Sequence, residues 1–180
     1  MRKVVLGVGI SLDGYIARPD GSVDFLSMPK DYSMAAFFKR IDTAVMGRKT
    51  YEVAIKMSGG SMSSPRMKSY VFSRSLEAGE RGGVTIVSET PKEFVEESRK
   101  KNGKDVWLMG GGELAREFFK EDLVDELYLG VVPVLLGEGI AAFPGGFPQR
   151  EFALQGNKTY SQGLIALQYE QVRTKKKAKN

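Results

Sequence analysis

Twice in this chain an apolar run stops at glycine and a helix-forming segment begins at once. "DTAVMG" (residues 42–47) leads into "RKTYEVAIK". "DVWLM" (105–109) leads through three consecutive glycines into "ELAREFFK". A strand that hands directly to a helix is half of a strand–helix–strand crossover, and crossovers of this kind join parallel strands whose sheet is covered on both faces. The other segments agree. "KVVLGVGIS" (3–11) is a continuous Val-rich run, the pattern of a strand buried on both faces. "SYVFSR" and "GVTIVS" read as further strands, and "DELYLGVVPVLL" (125–136) as one long strand. Apolar spacing over 33–41 predicts a helix. Thr90, Pro91 and Glu93 predict a capped helix start, and Asn102-Gly103 its end. "EFALQGNKTYSQGLIALQYEQV" alternates like two strands about a Ser-Gln-Gly turn. "LDGYIARPDGSVDF", "MSGGSMSSPRM" and "GEGIAAFPGGFP" read as loops. The predicted fold is α/β, with a mostly parallel central sheet, an antiparallel C-terminal edge and helices on both faces.

Composition narrows the chemistry. The 180 residues contain no cysteine and no histidine, which excludes thiolate nucleophiles, His bases and metal sites built on Cys or His. Any proton must pass through Asp, Glu, Lys, Tyr or water. The net charge of +5 is carried by Arg173, Lys175, Lys176, Lys177 and Lys179. Without those five, 22 basic residues face 22 acidic ones. A single domain over 1–172 is expected, with 173–180 a basic, solvated, disordered tail. A neutral body without an aromatic-basic face argues against nucleic acid as partner. No run approaches the ~18 apolar residues of a membrane span, and a cytoplasmic location is expected.

Ligands of such sheets bind beyond the carboxyl ends of the strands. Gly110, Gly111 and Gly112 open a helix there. Uncapped helix N-termini favour anions, and glycine lets a phosphate approach the backbone. In "MGRKT", Arg48 and Lys49 set two cations at another helix N-terminus, where the dipole disfavours them and an anionic ligand would compensate. Ser73 and Arg74 follow a third strand, a hydroxyl and a guanidinium suited to a lone phosphate. One pyrophosphate and one separate phosphate would use all three places, which describes NADPH better than NADH or ATP. Asp13, Asp24 and Asp31 are the candidate acids for the proton that accompanies hydride transfer.

Four stretches taken together, "SLDGYIARPDG" (11–21), "IDTAVMGRKTYE" (41–52), "VWLMGGGEL" (106–114) and "VDELYLGVVPVLLGEG" (124–139), resemble the dihydrofolate reductase-like fold. The resemblance is to its branch holding the C-terminal reductase domain of the riboflavin biosynthesis protein RibD. It covers nearly the whole chain, to about residue 172. It implies a three-layer fold, an NADPH-dependent reductase and a homodimer. By it, Gly47, Arg48, Lys49 and Thr50 hold the pyrophosphate and adenosine side, and Ser73 and Arg74 the 2′-phosphate. Met109, Gly110, Gly111, Gly112, Glu113 and Leu114 form the pyrophosphate cradle. The segment from Val8 to Ala17 lies beside the nicotinamide and residues 19–25 form a mobile cover. Ser11, Tyr15, Ser22 and Met34 face the substrate. Aligned on "FFKR", Met34 stands where dihydrofolate reductases carry the acid that binds the pterin. Asp31 lies three residues earlier, on the same face if the helix has begun by then. Met109 stands where riboflavin-pathway reductases often carry Glu. The resemblance implies reduction of a phosphoribosylamino-uracil, with Arg18 or Arg66 as extra cations for its phosphate. A pterin-type reductase and a non-catalytic NADPH-binding module remain the alternatives.

Overall fold

The computed structural model describes residues 1–173. A nine-stranded sheet forms its centre, in the order β10-β11-β8-β1-β7-β3-β4-β6-β5. The strands are β1 (Val4–Ser11), β3 (Ile41–Gly47), β4 (Lys68–Phe72), β5 (Gly79–Arg81), β6 (Val84–Val87), β7 (Asp105–Gly110), β8 (Glu126–Val132), β10 (Phe152–Thr159) and β11 (Ile165–Gln171). β8, β1, β7, β3, β4 and β6 run parallel to one another. β10 and β11 pair antiparallel at one edge and β5 at the other. β2 (Tyr15–Ala17) and β9 (Ile140–Ala141) form a separate short pair.

Among the described residues, four α-helices cover the two faces: α1 (Ala35–Lys39), α2 (Arg48–Met57), α3 (Pro91–Lys100) and α4 (Gly112–Lys120). Period-two alternation divides the strands between the faces. Val4, Leu6, Val45, Val106, Leu108, Leu127 and Leu129 pack against Phe94 and Val95 of α3 and Ala115, Phe118 and Phe119 of α4. On the opposite face Ala44, Met46, Val71 and Ile86 meet Tyr51 of α2, and Val5 meets Phe37 of α1. The expected layering is therefore present.

Local signals are obeyed where they are complete. Thr90 accepts from the Glu93 backbone N–H while the Glu93 carboxylate accepts from the Thr90 N–H, and Pro91 opens α3. Ser161–Gly163 forms the turn between β10 and β11. Three expectations change. β8 stops at Val132, short of the predicted 136, because Pro133 has no N–H for the ladder. The presumed loops around Tyr15 and Ile140 contain β2 and β9, strands too short to show a period. Arg173, expected in the tail, belongs to the folded body: it pairs with Asp125 and Asp122. The rest of the tail, 174–180, lies outside the described residues. Among those described, no helix is long and apolar enough to cross a membrane.

Candidate functional site

β3 and β7 are neighbours, so the helices that follow them begin side by side at the carboxyl edge of the sheet. A Cβ on Gly111 would lie 3.1 Å from Thr50 Oγ1 and 3.9 Å from the Gly47 nitrogen. Among the described residues neither helix start has a side-chain cap. α3, of the same length as α2, carries a complete capping box. The first N–H groups of α2 and α4 are thus left without intrahelical acceptors, and they converge on one place. That place suits a doubly charged oxyanion such as a pyrophosphate.

The three glycines serve different purposes. Gly110 and Gly111 take φ of +124° and +88°, a region disfavoured for side-chain-bearing residues. A Cβ on Gly112 would stand 2.6 Å from the Ala141 carbonyl oxygen, so close packing against the 141–144 segment requires its absence.

Around this junction the predicted residues divide. Lys49 is exposed and has no carboxylate partner among the described residues. Arg48 pairs with Glu52 at 2.6 Å, an i,i+4 ion pair that partly offsets its unfavourable place in the first turn. Glu113 is drawn along the helix to Arg116, away from the anion position. Leu114 is buried in the core and can offer only its backbone. Met109 packs on the α2 side. Val8 lies on the α4 side and reaches within 3.3 Å of a Cβ on Gly110, so its side chain supports the cradle from below. The Ser73 hydroxyl caps its own turn, accepting from the Ser75 and Leu76 N–H groups, and Arg74 beside it is exposed.

The acids are where the reading needs most correction. Asp13 accepts from Ser11 Oγ at 2.6 Å and from the Leu136 and Gly137 N–H groups. These bonds, the Ser11 hydroxyl first, hold its carboxyl below the usual range. It fastens the turn after β8 to the end of β1. Ser11 is fully buried and also accepts from the Tyr15 N–H, so it is a strut inaccessible to substrate. Asp24 is held low by a two-point bond to Arg18, which also occupies the cation proposed for a substrate phosphate. Asp31 precedes α1, which begins only at Ala35, so it does not share a helical face with Met34. Its carboxylate accepts from the Ser161 hydroxyl and N–H and is likewise held low. At neutral pH all three aspartates are ionised acceptors and none has a proton to give.

The cover segment stands over α2. Residues Asp20 to Asp24, Ser22 among them, face Val53, Lys56 and Met57 across a cleft of about 500 Å³. Ala17 is buried, its carbonyl oxygen 2.4 Å from a Cβ built on Gly139, and Tyr15 packs against the same glycine. Met34 packs against the cluster of Val5, Phe37 and Ile41. Sequence reasoning passed over Tyr32, a half-buried tyrosine inside a polar loop. Its relation to β1 and β8 has no sequence signal.

Comparison with known proteins agrees with this architecture. The chain is 35% identical over 166 residues to the uncharacterized protein YwjB of Bacillus subtilis, covering 91% of this chain and 95% of that one. It is 30% identical over 178 residues to YyaP of the same organism, covering 93% and 94%. A crystal structure from Shewanella sp. PV-4, described as a putative riboflavin biosynthesis protein, superposes with a TM-score of 0.82 at 26% identity. It covers 96% of this chain and all of the other. A deaminase/5-amino-6-(5-phosphoribosylamino)uracil reductase from Thermotoga maritima shares the fold, with a TM-score of 0.72 at 15% identity over 95% of this chain and 57% of that one. The family model for the RibD C-terminal domain matches residues 2–166, and the chain belongs to that family of reductase-type enzymes.

Proposed function

We propose that the protein is an NADPH-dependent reductase that delivers hydride to a small heterocyclic compound, with 5-amino-6-(5-phosphoribosylamino)uracil the first substrate to try. The observation that carries this reading is the meeting of two uncapped helix starts at Gly47 and Gly111. NADPH, when bound, supplies the hydride. The residues' own tasks are to bind and orient. The N–H groups at the starts of α2 and α4, with Thr50 Oγ1 and the free Lys49, neutralise the pyrophosphate. Arg74 takes the lone 2′-phosphate. The cover segment at 19–25 limits water on the α2 side. With the aspartates committed to other partners, the proton for the reduced atom comes from water.

Titration with NADPH and NADH, followed by nicotinamide fluorescence, tests the cofactor. NADPH is expected to bind more tightly. Arg74→Ala should weaken NADPH by tenfold or more, the loss of roughly 1.5–3 kcal/mol from a charged hydrogen bond, and leave NADH unchanged. Failure of the wild-type protein to bind NADPH would sink the proposal. The tied-up Asp31 and the methionine at position 34 favour, as a second reading, an NADPH-binding module without turnover. NADPH oxidation across pterins, flavin precursors and small carbonyls separates the two.

The reading includes a second copy of the chain. Among the described residues no strand pairs with the outer edge of β10, and Leu154 and Ile165 are exposed on the terminal hairpin. Light scattering should report twice the monomer mass, and a monomer at assay concentration would remove the dimer from the proposal.

A further inference from the structure

Three glycines, Gly7 and Gly9 of β1 and Gly130 of β8, share the α1 face of the sheet. Gly7 is paired with Tyr128, and Gly9 with Gly130. Glycine weakens a strand by roughly 0.5–1 kcal/mol relative to alanine, so each position asks for a reason. At Gly7 the reason is packing: Trp107 Nε1 and Phe37 Cζ lie 2.8 and 3.0 Å from where a Cβ would be, and the indole N–H donates to the Gly7 carbonyl. At Gly9 and Gly130 no such rigid neighbour stands. Gly9 is approached by the ends of two flexible side chains, Leu26 Cδ2 at 2.9 Å and Met28 Cε at 3.6 Å. Gly130 is approached by the Tyr32 hydroxyl at 3.8 Å. Two adjacent positions without Cβ form a flat floor one step below the carboxyl edge. The tips of Leu26 and Met28 cover Gly9, and a planar ring can lie there only once they turn aside.

Tyr32 has a fixed direction and a hydroxyl that its own packing does not use. Its ring stands edge-on to Tyr160, with centroids 5.1 Å apart, which fixes its direction. Its hydroxyl makes no hydrogen bond with any described residue. Burial, aided by Tyr128 and Tyr160, pushes its pKa up to about 12, so it remains a donor throughout the physiological range.

We propose that Tyr32 is a substrate-positioning residue: the planar heterocycle of the substrate lies on the Gly9–Gly130 floor, and Tyr32 Oη donates a hydrogen bond to a carbonyl or imine acceptor on its edge. This rests on the reductase reading above. The hydroxyl keeps its proton through the reaction. Its bond strengthens as the acceptor gains negative charge, and water supplies the proton that completes reduction.

Trp107, the only tryptophan, borders the floor and reports on it. The full-length protein and Tyr32→Phe are titrated with 5-amino-6-(5-phosphoribosylamino)uracil and with dihydrofolate, following Trp107 fluorescence. At least one compound should quench the wild type saturably. Tyr32→Phe, which keeps the ring against Tyr160, should bind that compound about five- to tenfold more weakly. Its NADPH affinity and melting temperature should be unchanged. Absence of saturable quenching by both compounds overturns the proposal, and so does equal affinity in the two proteins. The NADPH titration of the same samples reads the reductase proposal separately, so the two can fail independently.

Discussion

Gly111→Val is expected to reduce NADPH affinity by about a hundredfold or more while leaving a folded protein. Gly111 sits at φ +88°, where a β-branched residue is a genuine outlier. The new side chain would also enter the junction between the helix starts, its Cβ 3.1 Å from Thr50 Oγ1. Losing two charge-assisted hydrogen bonds to a phosphate, at roughly 1.5–3 kcal/mol each, is enough for that drop. The backbone strain costs roughly 1–3 kcal/mol. In a chain of this size that lowers the melting temperature by roughly 2–4 °C per kcal/mol, so the variant stays measurable. Fluorescence titration and thermal unfolding of the same sample give both values. A Gly111→Val protein that binds NADPH like the wild type would show that the cofactor lies elsewhere.

Asp125→Ala should produce the largest loss of stability, about 3 kcal/mol or more. The carboxylate is only 5% exposed. It accepts from the Val4 N–H at 2.8 Å and from Arg99 Nη2 at 2.7 Å, and it pairs with Arg173. It therefore joins the first residue of β1, helix α3 and the last described residue of the chain. Removing it strands the Val4 N–H and the Arg99 guanidinium and leaves Arg173 with Asp122 as its carboxylate partner, and breaking such a group costs far more than the pairing yields over an apolar substitute. The melting temperature should fall by roughly 6–12 °C. NADPH affinity measured below the transition should not change, because Asp125 lies at the opposite, amino end of the parallel strands. A melting temperature within a degree or two of wild type would show that the arginines find other partners.

The arginine at 173 shows where sequence reading stopped. Beside four lysines in "RTKKKAKN" it looks like the start of a solvated tail. Only the return of β11 alongside β8 sets it against Asp125. The acids teach the same lesson from the site. Asp13, Asp24 and Asp31 have the residue type and the neighbourhood that hydride-transfer chemistry asks for. Their partners are Leu136 and Gly137 for the first and Ser161 for the last, more than a hundred residues away. Those contacts turn candidate acids into fasteners for loops. By contrast, the Thr90 capping box, the Ser-Gln-Gly turn and the uncapped glycine starts were legible, because each is a relation among residues within four positions of one another.

By itself, then, the sequence determined the strand–helix alternation, the two faces of the sheet and the glycine-opened helices. These depend on side-chain periodicity and on backbone conformations that only glycine readily adopts. Tertiary structure decided that Gly47 and Gly111 meet, that the aspartates are already engaged in hydrogen bonds, and that a Tyr32 hydroxyl with no partner among the described residues stands beside Gly130. Apart from the local Ser11–Asp13 and Arg18–Asp24 bonds, each of those is a contact between segments far apart in the chain. Strand order and register set such contacts, and no local pattern in the chain encodes which strands will lie side by side.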